Sequence, residues 1–330
     1  MQHFKSFWND LRKLTPDSFD DFALRLFQFQ ACENKVYTNY LSAREIDPKK
    51  ISTVEEIPFL PIQFFKNFKV VSGSEDQFSE FFSSSGTTGM ITSRHYFLNE
   101  NEYLDHTVSL FQEEYGSIKD YHILALLPAY LERKGSSLVS MANHWIQESG
   151  SPYSGFYLYN HQDLISRIEE LAQDQRKILL LGVTFALLDL VESGIKFSPP
   201  ENLIVMETGG MKGRRKEMIR EEVHEVLKPF FGVSEIHSEY GMTELFSQSY
   251  SKGQGKYKIP RTMDVILRDL NDPFSLAEGQ RGGINIIDLA NIHSCAFIET
   301  QDLGSIDDLG MLEVLGRIDN SEIRGCNLLV

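Results

Sequence analysis

Ser83-Ser84-Ser85-Gly86-Thr87-Thr88-Gly89 is the most unusual stretch of this 330-residue chain, a run of hydroxyls broken by glycine. Glycine lets successive backbone amides converge on one point, and Ser and Thr add further donors, so such a loop can wrap a phosphate. Taken alone, it is also readable as a solvated turn between elements. It is not the common P-loop, because no Gly-Lys-Ser or Gly-Lys-Thr follows. The segments around it decide between these readings.

Downstream, apolar runs of strand length alternate with amphipathic stretches of helical period. Strands are expected over 123–127, 177–181, 203–206 and 235–239, and helices over 136–147, 163–173 and 215–227. Such a βαβα alternation calls for a largely parallel sheet with helices on both faces. Upstream, Phe4, Phe7, Trp8 and Leu11 recur at helical spacing, and so do Phe19, Phe22, Leu26 and Phe29. Ile57-Pro58-Phe59-Leu60-Pro61-Ile62 must be extended or turned, since each proline biases its predecessor away from helix. Beyond Gln254 the pattern changes to short strands over 263–270, 284–289, 296–300 and 311–315, separated by Gly, Asp and Pro turns. The expected organisation is a helical N-terminus and α/β region over 1–253, a β-rich subdomain over 254–316 and a tail over 317–330.

Composition works by exclusion. At 42% hydrophobic and 24% charged, the chain has the make-up of an ordinary globular protein. Its 47 acidic residues against 32 basic ones leave a formal charge of −15, which would repel a nucleic-acid backbone or an anionic membrane. No nucleic-acid partner is expected, although one small phosphate ligand stays compatible. The longest apolar run, over 178–188, is far short of a membrane span, and the N-terminus lacks the apolar core of a signal peptide. Cys32, Cys295 and Cys326 have no paired spacing, which speaks against a disulfide framework or a zinc site and for the reducing cytoplasm. Cys32 is expected in the core on an apolar helix face, and Cys295 as filling within a strand.

Three further segments belong with the loop. Tyr240-Gly241-Met242-Thr243-Glu244 follows an expected strand, Glu299-Thr300-Gln301-Asp302-Leu303-Gly304 closes another, and Gly316-Arg317-Ile318-Asp319-Asn320 follows the last. In this order and rough spacing the chain resembles the adenylate-forming superfamily of acyl-CoA synthetases, nonribosomal adenylation domains and luciferases. The resemblance implies an α/β fold of mixed sheets covered by helices, a smaller β-rich subdomain, and ATP and Mg²⁺ as cofactors. It implies that Ser84, Ser85, Gly86, Thr87, Thr88 and Gly89 hold the β- and γ-phosphates. Glu244 would bind Mg²⁺, the hard cation that bridges phosphate oxygens, and Thr243 would donate to the α-phosphate. Tyr240, with Gly241 and Met242, would lie against adenine, Asp302 would accept from the ribose hydroxyls, and Arg317 would stand close by. Thr208, Gly209, Gly210 and Met211 match a glycine-containing loop that borders the adenine pocket. The adjoining Lys212, Arg214, Arg215 and Lys216 attract the triphosphate or a partner, or simply solvate a helix start.

Two departures narrow the likeness. The usual loop continues with Pro-Lys, whereas here Gly89 leads into Met90-Ile91-Thr92-Ser93-Arg94, so that Arg94 is the cation at hand. The superfamily's mobile C-terminal domain of roughly a hundred residues, bearing a catalytic lysine, has no counterpart in the fourteen residues after Gly316. That lid is expected to be absent or vestigial. With Ile57-Pro58-Phe59-Leu60-Pro61-Ile62-Gln63-Phe64-Phe65-Lys66 and Leu127-Pro128-Ala129-Tyr130-Leu131-Glu132-Arg133-Lys134-Gly135-Ser136-Ser137, this resembles the acyl-protein synthetases of bacterial fatty-acid reductase systems.

In that family the acyl group passes from acyl-AMP to a cysteine near the C-terminus. The implied catalytic set is therefore Thr243, Glu244 and Cys326, with Arg324 favouring the thiolate. The implied activity is ligation: a carboxylic acid of the fatty type becomes acyl-AMP, pyrophosphate leaves, and the acyl group moves to a thiol. Its final acceptor would be a partner such as a reductase or a carrier protein. Two alternatives stay open, namely transfer to coenzyme A or a carrier-protein phosphopantetheine, and a non-catalytic nucleotide- or acyl-binding subunit. Tyr153, Phe156, Tyr157 and Tyr159 either line the acyl pocket or fill core.

Overall fold

The computed structural model describes residues 2–84, 91–127, 135–209 and 218–318. Two compact units emerge, neither continuous in sequence. One holds the described residues up to Tyr103, Thr243–Ser247 and those from Lys258 onward; the other holds Leu104–Met242 and Gln248–Tyr257. This partition differs from the linear one expected at Gln254.

In the second unit, Tyr121–Leu126, Lys177–Val183, Leu203–Thr208 and His237–Tyr240 lie side by side and parallel. The short strand Gly155–Tyr157 adds in parallel at one edge, and Ser249–Ser251 pairs antiparallel with His237–Tyr240. Lys177–Val183 is buried at every position after Lys177, which is why its sequence is a continuous apolar run rather than an alternating one. The intervening helices are Ser137–Glu148, His161–Glu170, Thr184–Glu192 and Arg220–Phe231. Ser136 caps the first, its hydroxyl accepting from the Val139 amide at 3.4 Å. Gly232, at φ 61°, ends the last in the left-handed conformation that favours glycine. Each expected strand and helix of the alternation is present, although the last helix begins at Arg220 rather than near 215.

In the first unit, Met263–Arg268, Arg281–Asp288, Phe297–Ile306 and Leu312–Arg317 form an antiparallel sheet, with Leu60–Pro61 running parallel to Phe297–Ile306. Glu80–Ser83 and Arg94–Phe97 pair as a separate antiparallel ribbon. The N-terminal helices belong here because their buried faces are satisfied here. Gln30 Nε2 donates to the Asn291 carbonyl at 2.9 Å while its Oε1 accepts from the Ala296 amide at 2.9 Å, and Asn34 Nδ2 donates to the Ser294 carbonyl at 2.9 Å. The Phe27 and Tyr37 rings pack on Phe297.

Two cysteine expectations change. In the helix Phe19–Glu33 the buried positions are Phe22, Ala23, Leu26, Phe27, Gln30 and Ala31. Cys32, one step past Ala31, turns outward and is exposed. Cys295 is fully buried, as expected of filler, but it precedes the strand Phe297–Ile306 rather than lying within it. Burial pushes its thiol pKa up to about 12.

Candidate functional site

The segment Tyr240–Glu244 divides between the units, Tyr240, Gly241 and Met242 in the parallel one, Thr243 and Glu244 in the antiparallel one. Each part has its own surroundings.

In the parallel unit, Tyr240 closes its strand and is buried, with its ring centroid 5.8 Å from that of Tyr257. At Gly241 a Cβ would meet a carboxylate oxygen of Glu239, so any larger residue there would have to displace the Glu239 side chain. Glu239 pairs with Thr208 across the neighbouring strand and accepts the Thr208 hydroxyl. Thr184 Oγ1 donates to Glu207 at 2.8 Å and lies 3.0 Å from the Gly209 carbonyl. Burial raises the pKa of Glu207, but His224, the Arg220 guanidinium, Ser238 and Thr184 outweigh it and hold the carboxyl below its ordinary value. Thr208, Gly209 and Tyr240 thus stand at the carboxyl ends of adjacent parallel strands, where open α/β sheets bind ligands.

In the antiparallel unit, the turn that carries Thr243 and Glu244 is held through its main chain. His95 Nδ1 lies 2.9 Å from the Thr243 carbonyl, and Asn291 Nδ2 donates to the Glu244 carbonyl at 2.8 Å. The Asp288 carboxylate accepts from the Phe246 and Ser247 amides at 2.8 and 2.9 Å and from the Ser247 hydroxyl at 2.7 Å. Held this way, the Glu244 carboxylate is itself buried, and burial raises its pKa. Ser93, its own amide, and the charges of Lys66 and Arg317 oppose that rise. A buried carboxylate that no described cation pairs directly is a fitting ligand for a hard divalent ion.

Asp302 and Arg317 face each other across paired strands, Nε to Oδ1 at 3.8 Å, with Arg317 87% exposed. So exposed an ion pair holds little energy, and the guanidinium stays available to an anion. Arg94 lies with its guanidinium over the Phe81 ring, 5.1 Å from the centroid. Ser84 is described and sits at the base of the hydroxyl-rich loop. Ser85, Gly86, Thr87, Thr88, Gly89, Gly210, Met211 and Cys326 lie outside the described residues, as do Lys212, Arg214, Arg215 and Lys216.

Among the described residues no group of three or more His, Cys, Asp or Glu could hold a metal. A magnesium ion that takes most of its ligands from phosphates and water needs only one or two carboxylates. Also among the described residues, no helix is long and apolar enough to cross a membrane. Tyr153 and Tyr159 are 39% and 66% exposed, so they are not core. Sequence reading missed His95, Asp288 and Asn291. They bond to main-chain groups, and the only signal was their polarity within buried runs.

A family model described as acyl-protein synthetase, LuxE, matches residues 130–330, more than half of the chain. The chain belongs to this family. A long-chain-fatty-acid–luciferin-component ligase of Aliivibrio fischeri is 18% identical to it, over 94% of this chain and 86% of that one. Among solved structures, a 2-hydroxyisobutyryl-CoA ligase in an open conformation superposes with a TM-score of 0.61 at 12% identity, covering 91% of this chain and 74% of that one. An ATP-bound MatB from Rhodopseudomonas palustris gives 0.54 at 16% identity over 75% of this chain. The acyl-protein synthetase spans 49% of that MatB chain. At such identities these likenesses carry the fold, which is that of adenylate-forming enzymes.

Proposed function

We propose that this acyl-protein synthetase activates a carboxylic acid, of the long-chain fatty class, with ATP and passes the acyl group to the thiol of Cys326. A carboxylate oxygen of the acid attacks the α-phosphorus, the bond to the bridging oxygen breaks, and pyrophosphate leaves. The Cys326 thiolate then attacks the acyl carbonyl of the mixed anhydride, AMP departs, and a thioester remains for a partner protein to collect. Family membership supports the reaction class, and the name of the Aliivibrio fischeri relative supports the acid class. ATP as a substrate and reduced thiols suit a cytoplasmic setting.

The observation that carries the reading is the Glu244 carboxylate, buried on a turn whose main chain is fixed at Thr243, Glu244, Phe246 and Ser247. Mg²⁺, when bound, supplies neutralisation of phosphate charge, and Glu244 is the residue that would hold it. Thr243 donates to the α-phosphate, and the Ser84–Gly89 loop offers amides and hydroxyls to the β- and γ-phosphates. The Tyr240 ring meets adenine, with Gly241, Met242 and the Thr208-Gly209-Gly210-Met211 turn around it, while Asp302 accepts from ribose and Arg317 stands beside it.

ATP–pyrophosphate exchange with a panel of fatty and aryl acids tests this. The wild type should exchange only in the presence of an acid, best with long chains. Glu244→Ala should lose about 100-fold or more. Cys326→Ser should keep exchange and lose the labelled acyl-protein. Exchange indifferent to any acid would sink the reading, and undiminished transfer to coenzyme A in Cys326→Ser would move the acceptor to a free thiol.

A further inference from the structure

Ser93 and His95 join the base of the hydroxyl-rich loop to the Glu244 turn. The Ser84 amide donates to the Ser93 carbonyl at 3.1 Å and the Ser93 amide to Ser84 Oγ at 2.9 Å, so the loop's two stems are stapled. Ser93 is 1% exposed, and its hydroxyl interacts with the Glu244 carboxylate and lowers its pKa. Two residues on, at the same-face spacing of a strand, His95 is wholly buried. Its Nδ1 lies 2.9 Å from the Thr243 carbonyl and its Nε2 2.7 Å from Ser294 Oγ. A carbonyl can only accept, so Nδ1 carries the proton, and Nε2 accepts from the Ser294 hydroxyl. Burial pulls the imidazole pKa down to about 3, which keeps the ring neutral. Phe65 and Phe246 pack around it with centroids 5.6 and 4.7 Å away, so the ring cannot turn without losing both bonds.

We propose that His95 is a positioning residue for acid activation: it anchors the Thr243 carbonyl and thereby sets the directions of the Thr243 hydroxyl and the Glu244 carboxylate. The inference rests on the proposed reading of this turn as the ATP and Mg²⁺ site. Because the peptide unit between Thr243 and Glu244 is planar, fixing its carbonyl oxygen also fixes the direction in which the Glu244 amide and Cα leave. Removing the anchor deletes no group that touches ATP. It frees the plane to rotate, and a misplacement of about 1 Å in such a site costs on the order of 100-fold in rate.

Two substitutions separate the bonds. Asparagine puts an amide nitrogen near the place of Nδ1, and glutamine puts one near the place of Nε2. His95→Asn therefore keeps the donor to Thr243 and loses Ser294, whereas His95→Gln keeps a bond to Ser294, its amide now donating to the hydroxyl oxygen, and loses Thr243. Both remove part of the same buried ring, so a merely structural role would lower melting temperature and exchange in parallel. We expect His95→Asn to stay within about threefold of wild type. His95→Gln should fall about 10- to 100-fold in kcat for exchange, with a raised half-saturating Mg²⁺ concentration and an unchanged KM for the acid. Equal exchange in the two variants, or exchange that follows melting temperature, overturns the inference. In the wild type, the slowly exchanging Nδ1 proton resonance should move on addition of Mg²⁺ with a non-hydrolysable ATP analogue; a resonance blind to both overturns it without any variant. A wild type that shows no acid-dependent exchange overturns the site reading itself, and this inference with it.

Discussion

In the parallel unit the site residues stand at strand ends and are tied side chain to side chain, Thr208 to Glu239 and Thr184 to Glu207. In the antiparallel unit the turn after Thr243 is tied through its main chain by His95, Asn291 and Asp288. The difference decides how each tolerates change. When both members of a side-chain pair can be replaced or hydrated, the net cost is modest. A side chain that satisfies several buried amides leaves those amides orphaned when it goes, because every residue brings the same amide.

The largest expected effect follows. Asp288 is wholly buried and accepts from the Phe246, Ser247 and Ala290 amides and from the Ser247 hydroxyl. Asp288→Ala should destabilise the protein by about 3 to 5 kcal/mol, since several buried donors lose their acceptor together. Thr208→Val in the parallel unit removes one hydroxyl from Glu239 and should cost about 1 to 2 kcal/mol. Urea denaturation midpoints measure both. Equal losses would erase the contrast between the two anchoring modes.

How much of this could be read beforehand also differs between the units. The parallel sheet was legible because burial on both faces writes continuous apolar runs such as Lys177–Val183, with amphipathic helices between them. The partition of the chain was not legible, because Gln30 and Asn34 meet carbonyls some 260 positions away, and no local pattern encodes such a contact. Tyr240 to Glu244, Asp302 and Arg317 stood out through their resemblance to the motifs of adenylate-forming enzymes. Their support did not, since an Asp or His that serves a distant amide looks like any other polar residue. Cys32 shows how fine the margin is. One residue past the buried Ala31, a rotation of about 100° carries the side chain from core to solvent.

Acid sharpens the comparison at the next scale. Burial lowers His95 to about 3 in the antiparallel unit, and burial aided by Lys252 lowers His237 to about 4 in the parallel one. Both rings are neutral when folded and take up protons more readily when unfolded. Their contribution is therefore complete above the unfolded value near 6.5 and is lost as pH falls toward 4 and 3. Between pH 6.5 and 4 each withdraws at most about 3 kcal/mol, less for the partly exposed His237. His95→Asn should flatten the acid loss of amide-exchange protection in Phe297–Ile306, and His237→Asn that in Lys177–Val183. A variant that flattened both strands equally would show that the units lose stability together rather than separately.

The smallest effect concerns cations on rings. In the parallel unit the Arg220 guanidinium lies 5.2 Å from the centroid of the buried Tyr257 ring, within the Glu207 cluster. In the antiparallel unit Arg44 stacks 3.6 Å over Phe274, which is 64% exposed. The closer contact should be the weaker, because Phe274 is exposed and the surrounding water screens the attraction between cation and ring. Phe274→Ala should therefore cost only about 0.5 kcal/mol, while Tyr257→Leu, which removes a buried ring from beside a partly desolvated Arg220, should cost about 2 kcal/mol or more. Urea midpoints at low and high salt separate the two. If the Phe274→Ala loss matched that of Tyr257→Leu, ring distance rather than burial would govern these contacts.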